Sequence, residues 1–205
     1  MPLVTNGQNA SCDGIAAVVT HISLHSAFSD TGTSELTGGS PAYARKAVTW
    51  AASASGTKAN SATLTFDVPP STTVTAFGMW SALTAGTFYG WMPLNPGAKG
   101  FATADTTTDL ITSYAHGLTA NTAIFVDNVF AESLPTGLAR NAVYYVASSG
   151  LTADSFRVST TVGGAVVDIT ASGELYFQSV VPETFASQGT LAVSIGGLVI
   201  DATGI

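Results

Sequence analysis

Hydrophobic positions recur at every second residue along most of this chain. The alternation is clear in His21–His25, Ala47–Trp50 and Thr63–Val68, where apolar and polar residues take turns. Because successive side chains of a strand point to opposite faces, this pattern predicts half-buried β-strands. Turn residues such as Thr37–Pro41 and Pro69–Ser71 separate the segments. Many short strands with regular turns predict an all-β fold, a β-sandwich of the jelly-roll type.

Helical periodicity is confined to one segment near the amino terminus. Asn9–Ala17 predicts a short helix in which Asn9 or Ser11 is the N-cap. Ile15 and Ala16 are expected to face inward. The rest of the chain has the two-residue period of strands.

A second series of strands, about residues 102–180, has its own beginning and end. Its predicted strands are Ala123–Val126, Val143–Val146, Phe156–Ser159, Val166–Ile169 and Leu175–Phe177. The second and third of these should pair across the loop between them. The final segments, Thr190–Ser194 and Leu198–Asp201, return to the pattern of the first region. Since loop tips tolerate insertions, we predict a discontinuous β-sandwich domain, 1–100 with 182–205, carrying an inserted small β module at 102–180.

Charge is scarce: 9% of the residues are charged, where soluble domains have roughly a quarter. Small-residue strands with so little charge suit surfaces that meet other subunits. The net charge is -7, and the six basic residues are scattered apart from Arg45–Lys46. No basic stripe can neutralise phosphates, which argues against a nucleic-acid partner. The acidity repels polyanions but not a neutral glycan.

Membrane insertion and a disulfide framework are both unexpected. Mean hydropathy is +0.35, but the longest apolar stretches, Ile15–Val19 and Leu198–Ile200, are far too short for a spanning helix. The first residues lack the basic and apolar regions of a signal peptide, so we expect a protein made and kept in the cytoplasm of its producer. Cys12 is the only cysteine, and we expect a buried thiol.

No catalytic, metal-binding or cofactor-binding residue is predicted. His21 and His25 share one face of a strand but stand about 13 Å apart, too far to hold one ion. Both histidines are expected to face solvent or an interface. Ser55–Lys58 has the spacing of some acyl-enzyme nucleophiles without their partner motifs, and it is typical of a turn. A nucleophile elbow, a phosphate loop and a Ca²⁺ loop are all missing from the sequence.

Aromatic residues are the better functional candidates. Trp80, Phe88, Tyr89 and Trp91 cluster along the chain, and Tyr114, Tyr144 and Tyr145 lie in the second series of strands. We name Tyr114, Tyr144, Tyr145 and Trp91 as candidate surface or glycan contacts. The alternative is core packing or subunit contact, which we favour for the first cluster. Tyr144 and Tyr145 must point to opposite faces, so one of them should lie outside.

Several segments, taken in order, resemble a known family. They are Val19–Ala27, Gly38–Trp50, Phe66–Pro69, Phe77–Trp80, Thr87–Gly90, Pro182–Phe185 and Gly189–Thr190. Together they are similar to small virion proteins of tailed phages, described as tail fibre or minor tail proteins. The predicted insert resembles a different module of phage tail fibres and baseplate-associated proteins. Its marks are His116–Leu118, Leu134–Leu138, Tyr144–Val146, Phe156–Ser159 and Gly163–Ile169.

This resemblance implies a non-enzymatic structural protein of a phage virion, assembled in the host cytoplasm. It implies a place near the tail tip or in a fibre, other virion proteins as partners, and a homo-oligomer, with a trimer favoured. A capsid decoration protein is the alternative within the same class. A glycan-binding adhesin, whose insert contacts host cell-wall saccharide, is the alternative from another class. A depolymerase ranks last because no credible acid pair is present.

Overall fold

Strands dominate the computed structural model, which describes residues 3–129 and 133–203. Over these residues the chain forms one helix and 17 strands. In chain order these are α1 (Thr5–Val18), β1 (His21–His25), β2 (Lys46–Ala47), β3 (Thr57–Ala59), β4 (Leu64–Val68), β5 (Thr72–Val74), β6 (Ala76–Trp80), β7 (Phe88–Pro93), β8 (Lys99–Ala104), β9 (Ile111–Thr112), β10 (Ala123–Asp127), β11 (Val143–Val146), β12 (Ser155–Phe156), β13 (Val158–Ser159), β14 (Gly173–Ser179), β15 (Glu183–Phe185), β16 (Gly189–Val193) and β17 (Val199–Asp201). The predicted all-β fold class is confirmed.

The chain divides into two compact units. The first unit comprises the described residues up to Met92 together with those from Thr184 onward, and the second is Pro93–Glu183. The first contains a four-stranded sheet in the order β2-β1-β6-β7 and three two-stranded sheets, β15-β5, β16-β4 and β17-β3. The three carboxyl-terminal strands, β15 to β17, therefore pair with β3 to β5. Every register in the two units is antiparallel among the described pairs.

The helix exists, but its bounds and inward face differ from the prediction. It begins after Val4, which offers no side-chain cap, so Asn9 and Ser11 lie inside the helix instead of capping it. Cys12 is buried as predicted, and with Ala16 it packs in a small cluster around the last strand. Ile15 is 42% exposed, so its predicted inward position is wrong.

Strand β1 is buried on both faces, not on one. Ser23 and His25 are as inaccessible to solvent as the apolar residues Ile22 and Leu24 of the same strand. The prediction that His25 faces solvent or an interface is therefore wrong. Trp80 Nε1 donates to Ser23 Oγ at 2.8 Å, and that oxygen lies 2.6 Å from His25 Nε2. His25 Nδ1 lies 3.1 Å from Ser34 Oγ, whose own proton goes to a backbone carbonyl. This network assigns the ring proton to Nδ1 and leaves Nε2 as an acceptor.

With His25 neutral, each polar side-chain atom of this hydrogen-bond network has a partner. Burial, more than the nearby Arg45, lowers the pKa of His25 to about 4, although Glu35 opposes the shift. Gly78 on the neighbouring strand makes room for the network, since a Cβ there would collide with His25 Nε2 and Ser23 Oγ. The predicted alternation does hold in β4, where Leu64, Phe66 and Val68 are buried.

The second unit is built on one seven-stranded sheet in the order β12-β9-β8-β14-β10-β11-β13. Its core gathers fourteen buried residues, with Phe156 and Phe177 in edge-to-face contact at 5.3 Å. The predicted pairing of Val143–Val146 with Phe156–Ser159 is confirmed, with Tyr145 opposite Ser159.

Two predicted strands of this unit are wrong in detail. Phe156–Ser159 is split at Arg157 into β12 and β13, which pair with different neighbours. Val166–Ile169 forms only one isolated bridge, from Val166 to Ser159, and is not a strand. At the break, the Arg157 carbonyl still accepts from Ala147 N at 2.8 Å, and its Nε donates to the Thr108 carbonyl at 2.8 Å.

Candidate functional site: an aromatic face of the second unit

The outer face of the seven-stranded sheet carries aromatic side chains that the sheet itself aligns. In β8 the small residues Ala102 and Ala104 point into the core, so Phe101 and Thr103 point outward. In β14 the same alternation buries Leu175 and Phe177. This parity places an aromatic ring and a polar side chain of each strand on one surface.

Antiparallel pairing sets these outward residues side by side. Tyr176 lies opposite Phe101, and Glu174 lies opposite Thr103. Thr103 in turn lies opposite Thr112 of β9. Directly opposed residues have Cβ atoms roughly 5 Å apart, close enough for their side chains to act together. The face therefore has an aromatic row next to a row of hydroxyl and carboxylate groups.

An open groove of about 380 Å³ lies over part of this face and is mostly apolar. We call it the aromatic groove. It is lined by Phe101, Ala102, Thr103, Thr112, Ser113, Tyr114, Val129 and Glu174. Phe101 is 66% exposed and Tyr114 is 88% exposed, the highest value among the exposed large hydrophobic residues.

Local contacts hold the ring of Phe101 and the backbone on either side of Tyr114. Phe101 meets Tyr176 edge to face at 5.7 Å, and Tyr176 is backed by Phe125 at 6.2 Å. Burial raises the pKa of Tyr176, so its phenol stays neutral and donates to Gln178 Oε1 at 3.3 Å. The chain on either side of Tyr114 is bound to Asp154, whose carbonyl and carboxylate accept from the amides of residues 113 and 115. The aromatic side chains thus project from fixed backbone.

A second, polar cavity adjoins this groove at Glu174. Its volume is about 540 Å³, and it is lined by Ser133, Leu134, Thr136, Ala171, Ser172, Gly173 and Glu174. Glu174 lines both cavities. Among the described residues, Glu174 is the one that the two linings share.

The four predicted contact residues do not form one site. Tyr114 lines the aromatic groove, whereas Tyr144 is buried and its hydroxyl accepts from the amide of Ala139 at 2.8 Å. A surface contact by Tyr144 is therefore wrong. Tyr145 is half-buried and lines neither cavity. Trp91, in the first unit, packs on Phe28 with ring centroids 4.3 Å apart.

The sequence reasoning missed Phe101 and Glu174. The alternation in Lys99–Ala104 contains the signal. Phe101 falls on the same strand face as Lys99 and Thr103, and Ala102 and Ala104 fall on the opposite face. The prediction placed the start of the second series of strands at residue 102, so this alternation went unused.

The described residues contain neither a metal-site cluster nor a membrane-spanning helix. No group of three or more His, Cys, Asp or Glu side chains with metal-site geometry occurs in residues 3–129 and 133–203. Over the same residues, no helix has the length and apolar character needed to cross a membrane.

Comparison with known proteins identifies one similar family. Residues 16–115 match the family of podophage GP4 fiber I protein gp80. This segment is just under half of the 205-residue chain, and it includes β1 to β9 and Tyr114. Neither a curated protein nor a solved structure matches the chain. The match supports a structural protein of the phage fibre type, associated with the virion and its proteins, and it suggests a non-enzymatic role.

Proposed function

We propose that this protein is a non-enzymatic component of a phage tail fibre or tail tip, a minor tail protein that contacts the host surface. The match over residues 16–115 is the observation that carries this proposal. Low charge supports it, because a chain with 9% charged residues has few of the groups that keep subunit surfaces apart. Other virion proteins are its expected partners.

The proposed assembly is a homotrimer. Exposed apolar side chains support self-association: Ile15 and Val18 of α1 are 42% and 40% exposed, and Tyr89 of the edge strand β7 is 45% exposed. Monomers seldom leave such groups uncovered in large patches. A stable contact needs on the order of 1,000 Å² of buried surface.

Host contact is assigned to the second unit. Its aromatic groove presents two exposed rings, Phe101 from β8 and Tyr114 from the turn after β9, whereas Trp91 of the first unit is already packed on Phe28. Exposed aromatic residues are enriched where proteins bind partners. A host cell-wall saccharide is the proposed partner at this surface.

Two measurements test the structural role. Mass spectrometry of gradient-purified phage particles should detect this chain in stoichiometric amount, and its absence would contradict a virion role. Light scattering of the isolated protein should give three times the chain mass of 20.7 kDa. A stable monomer at micromolar concentration would contradict self-assembly.

A further inference from the structure

We infer that the aromatic groove and the polar cavity beside it form one binding site for a neutral, linear oligosaccharide. This inference rests on the proposed host-contact role and names the ligand class of that site. Pockets that bind small ligands combine an apolar lining with a few placed polar groups. The two cavities together have this composition.

The aromatic side chains supply the apolar part. A pyranose ring has a C–H face without hydroxyl groups, and this face packs against flat aromatic rings. Phe101 and Tyr114 offer such rings to solvent over 66% and 88% of their surface. Exposed rings of this size gain free energy when a ligand covers them, about 25 cal/mol for each Å² of apolar surface.

Hydroxyl and carboxylate oxygens supply the polar part. The side chains of Thr103, Thr112, Ser113 and Glu174 all line the aromatic groove. Among the described residues none of their side-chain oxygens has a hydrogen-bond partner. The carboxylate accepts two or more hydroxyl protons, and the hydroxyls both donate and accept. They match the vicinal hydroxyl groups of a sugar.

The ligand is linear because the site continues past Glu174. The polar cavity, whose lining shares Glu174 with the aromatic groove, adds the hydroxyls of Ser133, Thr136 and Ser172. Its volume of about 540 Å³ exceeds that of the aromatic groove. A chain of several sugar rings would stack at one end and form hydrogen bonds along the other.

The ligand is neutral because of the charge at the site. Among the residues that the structure describes, Glu174 is the only ionisable group of either lining apart from the Tyr114 phenol, and the chain as a whole carries -7. Lys99, at the start of β8, lines neither cavity. A carboxylate within the site repels an anionic polymer.

The test titrates the full-length protein with linear tetrasaccharides under saturation-transfer NMR and calorimetry. The neutral probes are cellotetraose, chitotetraose and mannotetraose, and the anionic probe is tetragalacturonate. We expect at least one neutral probe to bind, and F101A and Y114A each to weaken it at least tenfold. Y114F keeps the ring and should bind within threefold of wild type. V162A removes a 60% exposed apolar side chain of the second unit that lines neither cavity, and it is the control.

The role of Glu174 separates a neutral from an anionic ligand. E174A should weaken the neutral probe, since a hydroxyl acceptor is lost. E174Q keeps an acceptor and should weaken it less. Preferential binding of tetragalacturonate, strengthened by E174Q, would overturn the neutral assignment.

The remaining outcomes also decide the proposal. Absence of binding by all three neutral probes at millimolar concentration overturns it, as does binding unaffected by F101A and Y114A. If these variants instead dissociate the oligomer, the face is a subunit contact and the proposal fails. Each of these failures leaves detection in purified virions unchanged, so the proposed virion role is judged separately.

Discussion

The guanidinium carbon of Arg45 lies 3.4 Å from the ring centroid of Trp80. The same group binds both oxygens of Glu35, at 2.9 and 2.7 Å, and donates to the carbonyls of Ala82 and Ala85. Its side chain is 9% exposed. A planar fork of donors with a face that stacks on an indole is a property of arginine and not of lysine. Arg45 thereby ties three segments of the first unit together.

Substitution of Arg45 should be costly even when the charge is kept. R45K loses the stack and the two-point contact with Glu35, and we expect it to lower the free energy of unfolding by about 2 kcal/mol. R45A leaves Glu35 without its partner and should cost about 3 to 5 kcal/mol. Urea denaturation measures both.

The matched control for Arg45 is the neighbouring cation. Lys46 lies 3.7 Å from Asp67, and both side chains are about one third exposed. K46A should cost below about 1 kcal/mol. Equal costs for R45A and K46A would show that the network around Trp80 contributes nothing beyond charge.

Two glycine-to-alanine substitutions should change the free energy of unfolding in opposite directions. G78A places a methyl group against His25 and Ser23, both buried in β1, and we expect a loss of at least about 2 kcal/mol. G14A lies in the middle of α1 with no atom within 4 Å of the added Cβ. Alanine is the better helix former there, so stability should rise by about 0.5 to 1 kcal/mol. Thermal melts of the two variants check the signs.

His25 should make the first unit sensitive to acid. Its pKa is lowered from 6.5 to about 4 by burial, so the unfolded chain takes up a proton at higher pH than the folded one. The stabilisation is complete above pH 6.5 and is lost as the pH falls through 4. Over this window the loss is on the order of 3 kcal/mol. The free energy of unfolding, measured from pH 7 to pH 4, gives the slope.

A variant without the imidazole tests this assignment. H25Q keeps a donor and an acceptor but does not titrate, so its stability should depend less on pH between 7 and 4, despite a lower value at pH 7. H21Q, at the half-exposed start of the same strand, is the control and should keep the wild-type slope. Parallel slopes for H25Q and wild type would assign the acid sensitivity to other groups.

The first unit should fold without the second unit. The two ends of the second unit run side by side, with Val181 N donating to the Leu94 carbonyl at 3.2 Å and Ser179 N to the Ala98 carbonyl at 2.8 Å. A short Gly-Ser linker from Pro93 to Glu183 can therefore bridge them with a small entropic cost. We expect this deletion to fold and to keep the oligomeric state, measured by light scattering. An aggregated or monomeric product would show that the second unit takes part in assembly.

Local pattern predicted the elements better than it predicted their surroundings. Strict alternation in Leu64–Val68 and the apolar run Val143–Val146 located β4 and β11, because one face of each lies on the core. The same pattern in His21–His25 predicted a half-buried strand, and this was wrong. Ser23 and His25 belong to a hydrogen-bond network that is buried in the interior. Such a network depends on Trp80 and Ser34, whose proximity the sequence does not reveal.

For the candidate site too, the sequence identified single residues better than it identified their neighbours. Tyr114 could be named because it is one of the aromatic residues of the second series of strands. Tyr144 could not be told from Tyr145, since which face of β11 meets the core is set by β10 and β14. Phe101 and Glu174 line the same groove because of the register between β8 and β14, which the sequence does not reveal. The division into 1–100 with 182–205 and an inserted 102–180 stays a prediction about independent folding, to be tested by the deletion above.

Immunogold electron microscopy of intact particles, with antibodies raised against the full-length protein, decides whether this chain is a fibre or tail-tip component of a phage virion. We expect gold at the tail tip or along its fibres, in clusters consistent with a few oligomers per particle. Label spread over the head would instead identify a capsid decoration protein, and unlabelled particles would contradict a virion role altogether.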